Sequence, residues 1–409
     1  MILDSDYKGH VRASWFSLRG LSKILSFLLY LSYTFHQISS AQFRITGQGS
    51  AAFVKSNDGF SQYSFNSGRG TFAWRWDVFA DALVSDNISL FSNFRMLQDQ
   101  TLHVDYFALR VMDVASSGIN VEAGLIDIPF GSLAERRYPM QNPFFNLPLM
   151  NEHITALCAS DYRVWTLIPA FAVRGDGVRL LDQGLYDLGV MVYGKVGIAE
   201  YAAALINGMV STTSTYAPQG LNPNKGYGKV FRFAVTPTTG LKIGASYAFG
   251  PFMKDQSADS NSAIFGEDPD EYPQHIIGGD IDFSFEHFSF YGQAAYNIWK
   301  FEEEHYGSDL KAFAYSAEGR YAITPRVSVA LRIGGLVFNS INAPLPSFGH
   351  RMVPYSGKWD HDIIRLEGSV DYRLAREVLI KFVYQWNNTM GVVRDPVDNL
   401  VVLQTVFAF

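Results

Sequence analysis

Cysteine is nearly absent from this sequence. Cys158 is the single cysteine among 409 residues, so no disulfide can form within the chain and a disulfide-stapled scaffold is excluded. No triad-like partners accompany it in the sequence, and such partners are what activate a cysteine nucleophile. We therefore predict no catalytic role for Cys158.

Charge and long apolar runs are also scarce. Only 18% of the residues are charged, although 48% are hydrophobic and 15% are aromatic. After Ala41 no run of 18 apolar residues occurs, which excludes a bundle of transmembrane helices. The formal net charge of −6 argues against a nucleic-acid-binding protein.

The N-terminal region has the composition of an export signal. Four basic residues precede the apolar stretch Ile24–Phe35, and small residues follow at Ser39, Ser40 and Ala41. This order is typical of a secretory signal peptide, and twelve apolar residues are too few to span a bilayer comfortably. We predict a signal peptide over residues 1–41; the alternative is an uncleaved anchor. Residues 42–409 keep 29 basic and 37 acidic residues, a net charge of −8.

The rest of the chain alternates with a period of two. In residues 326–333 (RVSVALRI) every second residue from Val327 is apolar, whereas Arg326 and Arg332 fall on the other face. Such alternation predicts a strand with one apolar and one polar face. Sixteen strands are predicted in this way, beginning near Gln42, Gly70, Asn87, Leu102, Ile119, Tyr186, Ile198, Gly228, Gly240, Gln274, His287, Leu310, Arg326, Asp362, Glu377 and Asn399.

Short turns between these strands alternate, for the most part, with longer polar connections. An even strand count with this asymmetry is typical of bacterial outer-membrane barrels. A β-sandwich would also alternate, but one core could not bury so many aromatic-rich faces. The predicted fold is therefore all-β: a 16-stranded antiparallel transmembrane β-barrel over residues 42–409, in contact with outer-membrane lipid and lipopolysaccharide.

The C-terminal segment VVLQTVFAF alternates up to Phe409, its last residue. A terminal strand that ends in phenylalanine resembles the signal by which outer-membrane barrels are recognised for assembly. We expect Phe409 to lie at the periplasmic rim and to complete the last seam of the barrel, because closure removes edges that lipid would not tolerate.

One long segment, residues 129–184 after strand 5, interrupts the alternation. Loops of this length in compact proteins are usually functional, and its apolar residues, such as Phe144 and Leu149, would be costly in water. We predict that it folds inward and narrows the pore. The alternative is a cap on the outer rim or a contact with a neighbouring subunit.

Polar side chains on the predicted inner face carry charges of both signs in nearly equal number. A balanced lumen predicts weak charge selection. Arg136 and Arg137, beside Glu135 in the long segment, either attract anions at the constriction or anchor the segment to lumen carboxylates. The predicted pore-lining residues are Arg136, Arg137, Glu135, Arg75, Arg95, Asp77, Asp81, Glu122, Arg232, Asp280, Asp282, Glu318, Arg320, Arg332, Arg365 and Glu367. Asp127 is left out because it is out of phase with Glu122.

Three stretches resemble the phosphate- and polyphosphate-selective porins, the porin O and P group. They are GLIDIPFG, YDLGVMVYGKVGIAEYAAALINGM and FRFAVTPTTGLKIGASYAFG. The resemblance implies a sixteen-stranded pore that assembles as a homotrimer. It does not imply phosphate selectivity, because selective members line the pore with an arginine ladder and this inner face is mixed.

The predicted function is a porin through which small hydrophilic solutes or ions diffuse passively. One alternative is a substrate-specific uptake channel of the anion or phosphate type, which would differ from a general porin only at its constriction. A third reading, an outer-membrane barrel enzyme, needs a nucleophile and a base, and the histidines are scattered without a serine or aspartate motif. No catalytic, cofactor or metal site is predicted.

Overall fold

A computed structural model describes ten stretches of the chain. They are residues 42–56, 70–97, 101–158, 177–182, 184–211, 226–252, 272–301, 308–346, 352–391 and 399–409. The predicted signal peptide, residues 1–41, lies outside them. No helix in these stretches is long and apolar enough to cross a membrane.

Strands dominate the described stretches. In chain order they are β1 (Gln42–Ser56), β2 (Gly70–Ser85), β3 (Ile88–Leu97), β4 (Leu102–Val111), β5 (Ile119–Asp127), β6 (Ile154–Cys158), β7 (Gly177–Arg179), β8 (Tyr186–Val196), β9 (Ala199–Ile206), β10 (Gly228–Thr238), β11 (Leu241–Pro251), β12 (Pro273–Phe285), β13 (Phe288–Trp299), β14 (Leu310–Ala322), β15 (Val327–Phe338), β16 (Ser340–Pro346), β17 (Met352–Lys358), β18 (Ile363–Ala375), β19 (Val378–Thr389) and β20 (Leu400–Ala408).

Sixteen of these strands form one closed antiparallel barrel. Sequential neighbours pair throughout, except that β5 pairs with β8 and β15 pairs with β18, and the ring closes where β1 pairs with β20. The predicted fold class is confirmed, and each of the sixteen predicted strand starts lies within one residue of the observed one. Closure leaves none of these sixteen described strands at an open sheet edge, which is what a sheet in lipid requires.

The two faces of the sheet carry different side chains. On β15, Leu331 is 72% exposed and its neighbour Arg332 is 3% exposed. On β18, Leu366 is 44% exposed and Arg365 is 2% exposed. Successive side chains of a strand point to opposite faces, so the outer face presents apolar groups and the inner face holds the polar ones.

The connections differ in length at the two ends of the barrel. Five turns at one end have two residues each, 86–87, 197–198, 239–240, 286–287 and 376–377, and the remaining two connections there are 323–326 and 112–118. At the other end the connections are mostly longer: 57–69, 128–185, 207–227, 252–272, 300–309, 339–362 and 390–399, with 98–101 a short exception. This arrangement follows the predicted alternation.

Two of the long connections contain structure of their own. The segment between β5 and β8 holds a one-turn helix, α1 (Leu149–Glu152), and the two-stranded sheet of β6 and β7. The connection between β15 and β18, expected to be a polar loop, forms the β16–β17 hairpin. Ile341 and Leu345 are buried along this hairpin. The alternate apolar residues of β16 therefore cover an apolar core.

That apolar core lies at the end of the barrel with the long connections. Met150 of α1, Leu181, Phe338 and Trp359 are all buried there and belong to one cluster. The rings of Phe338 and Trp359 are 4.8 Å apart and nearly perpendicular. The core therefore joins the segment after β5 to the barrel wall and to the β16–β17 connection.

Candidate functional site: the polar inner wall and the segment after β5

Ion pairs cover the inner face of the barrel. In six of them an arginine is paired with a carboxylate on the same strand, on the adjacent strand or two strands away. The wall pairs are Arg75–Asp77 (2.8 Å), Arg95–Asp105 (3.0 Å), Arg110–Glu122 (2.9 Å), Arg232–Asp280 (2.6 Å), Arg320–Asp371 (3.4 Å) and Arg332–Glu367 (2.5 Å). The wall is charged and almost fully neutralised by its own pairing.

The register explains two of these pairs directly. Arg332 lies directly opposite Glu367, and Arg110 lies directly opposite Glu122. Opposite side chains on one face of an antiparallel pair are close enough to interact. Asp81 lies opposite Arg44 in the same way.

Arg136 joins the segment after β5 to one side of this wall. Its two terminal nitrogens lie 3.2 Å from a carboxylate oxygen of Asp282 on β12 and 3.2 Å from one of Glu318 on β14. The guanidinium also lies over the ring of Tyr291, 4.2 Å from its centre. The three predicted residues Arg136, Asp282 and Glu318 are therefore in contact.

Arg137 makes its contacts elsewhere. It donates to Asp127 at the end of β5 and to the carbonyl of Gly184, and it lies over the ring of Tyr186 at 4.2 Å. Burial alone would lower the pKa of the Arg137 guanidinium, but the Asp127 carboxylate outweighs it and the pKa is raised. The guanidinium therefore stays charged, and its carboxylate partner is Asp127, a residue that is not among the predicted pore-lining residues.

The segment is tied to the wall at further points. Arg332 donates to the carbonyl of Asn146 at 2.7 Å, and the Asn146 amide donates to Gln385 at 2.8 Å. Arg365 lies 2.9 Å from Glu152 of α1. Lys381 donates to two carbonyl groups of the segment. Arg332 and Arg365 thus hold the segment as well as the wall.

A second tie links the segment to the connection that carries the hairpin. His153 Nε2 lies 3.2 Å from Asp360 Oδ2, and the same oxygen accepts a hydrogen bond from the backbone N–H of Ala156 at 2.9 Å. His153 and Asp360 are both buried. The segment between β5 and β8 is therefore hydrogen-bonded to the connection between β15 and β18.

A cavity of about 860 Å³ lies beside Arg137, against the inner faces of β1–β5 and β8–β10. Sequence reasoning missed its aromatic lining, because aromatic residues occur on both faces of these strands and alternation alone does not distinguish a lumen ring from a lipid-facing one. The inner rings, which we call the ring cluster, are Phe79, Phe91, Tyr106, Tyr138, Tyr186 and Tyr193.

The side chain of Glu135, residues 159–176 and residue 183 lie outside the described part of the chain. Within the described part, no group of three or more His, Cys, Asp or Glu side chains is arranged to hold a metal ion.

The closed sixteen-stranded antiparallel barrel defines the class: this is the fold of bacterial outer-membrane porins and channels. No protein-family model and no curated protein matches the chain. Solved structures of the same fold do match it, at low sequence identity.

Three of those structures show the extent of the likeness. The outer-membrane channel DcaP of Acinetobacter baumannii is 11% identical, with a TM-score of 0.55 over 91% of this chain and 98% of that one. OmpF of Salmonella typhi, in complex with daunomycin, is 10% identical, with a TM-score of 0.53 over 90% and 97%. OmpT of Vibrio cholerae, in a trimer form, is 11% identical, with a TM-score of 0.53 over 91% and 100%.

These likenesses establish the barrel fold. They do not single out the phosphate- and polyphosphate-selective porins that three stretches of the sequence resemble.

Proposed function

We propose that the protein is an outer-membrane porin: a water-filled channel through which small hydrophilic solutes or ions diffuse passively. The observation that carries this proposal is the pair of opposed faces on a closed barrel. Exposed apolar side chains such as Leu331 and Leu366 suit lipid, and buried charged ones such as Arg332 and Arg365 suit a hydrated bore.

The proposed constriction is the segment 129–184 folded into the bore. This proposal is supported by Arg136 and Tyr138, two residues of the segment that bond to opposite sides of the barrel wall. Arg136 contacts β12 and β14, whereas Tyr138 accepts a hydrogen bond from Asn93 on β3 at 3.1 Å. In the order of sixteen strands, β3 lies about half a circumference away from β12–β14. A segment bonded in this way crosses the bore and narrows it.

The channel is proposed to select weakly between cations and anions. Arg136 and Arg137 each contact a carboxylate, an arrangement that favours the anchoring role over the anion-attracting one. An ion of either sign would meet attraction and repulsion along the paired wall.

The setting we propose is the bacterial outer membrane, with lipid and lipopolysaccharide around the barrel. Residues 1–41 would be the export signal and residues 42–409 the mature barrel. A homotrimer is proposed because OmpT, one of the matched structures, is described in a trimer form. Intact-mass measurement of protein from outer membranes tests the cleavage site, and cross-linking in those membranes tests the trimer.

Single-channel recording in planar lipid bilayers tests the main proposal. Purified protein is expected to give stepwise, ohmic currents, and deletion of residues 132–182 should increase the size of each step. Absence of steps, together with esterase or protease activity in the same preparation, would instead identify a barrel enzyme.

The same recordings address the alternative of an anion- or phosphate-type uptake channel. The resemblance to the porin O and P group favours that alternative, and the paired arginines oppose it. Reversal potentials measured in chloride and in phosphate gradients decide between them. A strong preference for phosphate would replace the general porin with the selective channel.

A further inference from the structure

The cavity beside Arg137 has features that a simple hydrated bore does not require. Its volume of about 860 Å³ lies within the range of pockets that bind small molecules. It is bounded on one side by the segment after β5, including Pro129 and Phe130, and on the other by the inner wall. A solute that reaches the constriction from the short-turn end would meet this cavity.

The rings of the ring cluster line this cavity. Phe91 and Tyr193 flank the guanidinium of Arg110, which lies 4.3 Å and 5.9 Å from the two ring centres. Phe79 and Tyr138 pack edge to face at 5.1 Å. The inner face of a porin is normally polar, so a ring cluster on it indicates contact with something that has an apolar face.

The charges around the cavity are paired with each other. Arg110 is bonded to Glu122, Arg137 to Asp127 and Arg232 to Asp280. Among the described lining residues, five cations face four anions, and the carboxylate of Asp280 balances the fifth. An anionic or cationic solute would gain little binding free energy from such a wall. Its attraction to one member of each ion pair is offset by repulsion from the other member at a similar distance.

Fixed polar groups nevertheless remain beside the rings. The hydroxyl of Tyr106 donates to Glu122 at 2.6 Å and accepts from Arg110 at 3.3 Å, so donor and acceptor atoms are held in place at the cavity wall. Asn93 and Asn120 add amide groups to the lining. An uncharged solute with many hydroxyl groups can bond to both members of such pairs.

We propose that this cavity is a binding subsite for a neutral sugar in transit through the channel, an inference that rests on the proposed function. A pyranose ring has apolar C–H faces and a rim of hydroxyl groups. The C–H faces of the sugar complement the ring cluster, and its hydroxyl groups complement the ion pairs and amides. The subsite would favour sugars over ions of similar size without closing the path to either.

The experiment is single-channel recording with a neutral trisaccharide, maltotriose, added to one side of the bilayer. Maltotriose is expected to interrupt the current at millimolar concentration. Tyr193→Ala should weaken this binding about fivefold, as expected for the loss of one aromatic contact, and Tyr193→Phe should retain it. Tyr384→Ala is the matched control, because Tyr384 is 46% exposed on the outer face of β19.

The possible outcomes separate this inference from the proposed function. Clear current steps without sugar-dependent interruptions, or interruptions by inorganic phosphate in place of maltotriose, overturn the subsite and leave the channel. Equal weakening by Tyr193→Ala and Tyr384→Ala also overturns it. Absence of current steps overturns the proposed function, and calorimetric titration of maltotriose into detergent-solubilised protein then decides the subsite by itself.

Discussion

Gly47 and Phe409 exchange two backbone hydrogen bonds, each of 2.9 Å, and so complete the seam between the first and last strands. Two residues further along the seam, Gly49 lies opposite Phe407, whose ring covers the glycine. A β-carbon added to Gly49 would lie 2.4 Å from that ring, and one added to Gly47 would lie 2.5 Å from the ring of Phe409. The phenylalanines of the last strand thus occupy space that two glycines of the first strand leave open.

The first prediction concerns this packing. Gly49→Val should force the Phe407 ring away from β1 and lower the free energy of unfolding by about 1–3 kcal/mol, the usual cost of overpacking. Gly279→Val is the matched control, since a β-carbon there meets nothing closer than 3.9 Å. Urea unfolding of the folded barrel in detergent measures both. Equal stability of the two variants would show that the seam tolerates displacement of the ring.

The second prediction concerns Arg136. Arg136→Ala leaves Asp282 and Glu318 without this cation, so the bore should become more cation-selective. The permeability ratio should change by up to about fivefold, since one charge at about 4 Å in water corresponds to about 1 kcal/mol. Reversal potentials in a salt gradient give the ratio. Arg376→Ala, which removes the same charge from an exposed turn, should leave it unchanged; a shift of equal size there would contradict the local explanation.

The third prediction concerns Arg332 as an anchor. It is bonded both to Glu367 and to the carbonyl of Asn146, and loss of one partner of a buried pair typically costs about 3–5 kcal/mol. Arg332→Ala should therefore destabilise the barrel by about 3 kcal/mol and also increase the conductance, because residues 144–147 are released. Arg320→Ala, which breaks the wall pair with Asp371, should leave the conductance at its original value. A conductance rise in both variants would refute the anchor.

The fourth prediction locates the segment by cross-linking. In a Cys158→Ser background, cysteines at positions 146 and 385 should react with a short bis-maleimide, because Asn146 and Gln385 are hydrogen-bonded at 2.8 Å. Cysteines at 146 and 384 should not, since Tyr384 lies on the outer face. Gel mobility of the intact-membrane reaction reports the cross-link. Reaction of the 146/384 pair alone would place the segment outside the bore.

The strands were predictable because apolar and polar residues alternate over most of the length of each one. The alternation is interrupted where the backbone forms a β-bulge. Asp105 and Tyr106 are adjacent, yet both have inner-wall partners, Arg95 and Glu122, because the β3–β4 register shifts between Asn93 and Phe94. A bulge of this kind places an extra residue without changing the local composition. Sequence period could therefore assign Glu122 to the inner face and still miss Asp105.

The candidate site was less predictable than the strands. Period two assigns a face to Asp282 and to Glu318. It does not say that Arg136, which is 146 and 182 residues away from them in sequence, contacts both. Asp127 was missed because a strand's last residue is free to leave the strand's phase. The β16–β17 hairpin was missed although Ile341, Ala343 and Leu345 alternate in the sequence, because the apolar core that they cover exists only in the folded protein. Contacts of this kind depend on tertiary packing and not on local pattern.

The β1–β20 pairing also has a consequence for biogenesis. Because the two halves of the seam come from opposite ends of the polypeptide, the ring cannot be completed until the final strand has arrived. Until then both flanking strands expose unpaired backbone groups, which invite pairing with other chains. Contacts between residues so distant in sequence also form slowly. A protein built in this way depends on being kept unaggregated during its passage to the membrane.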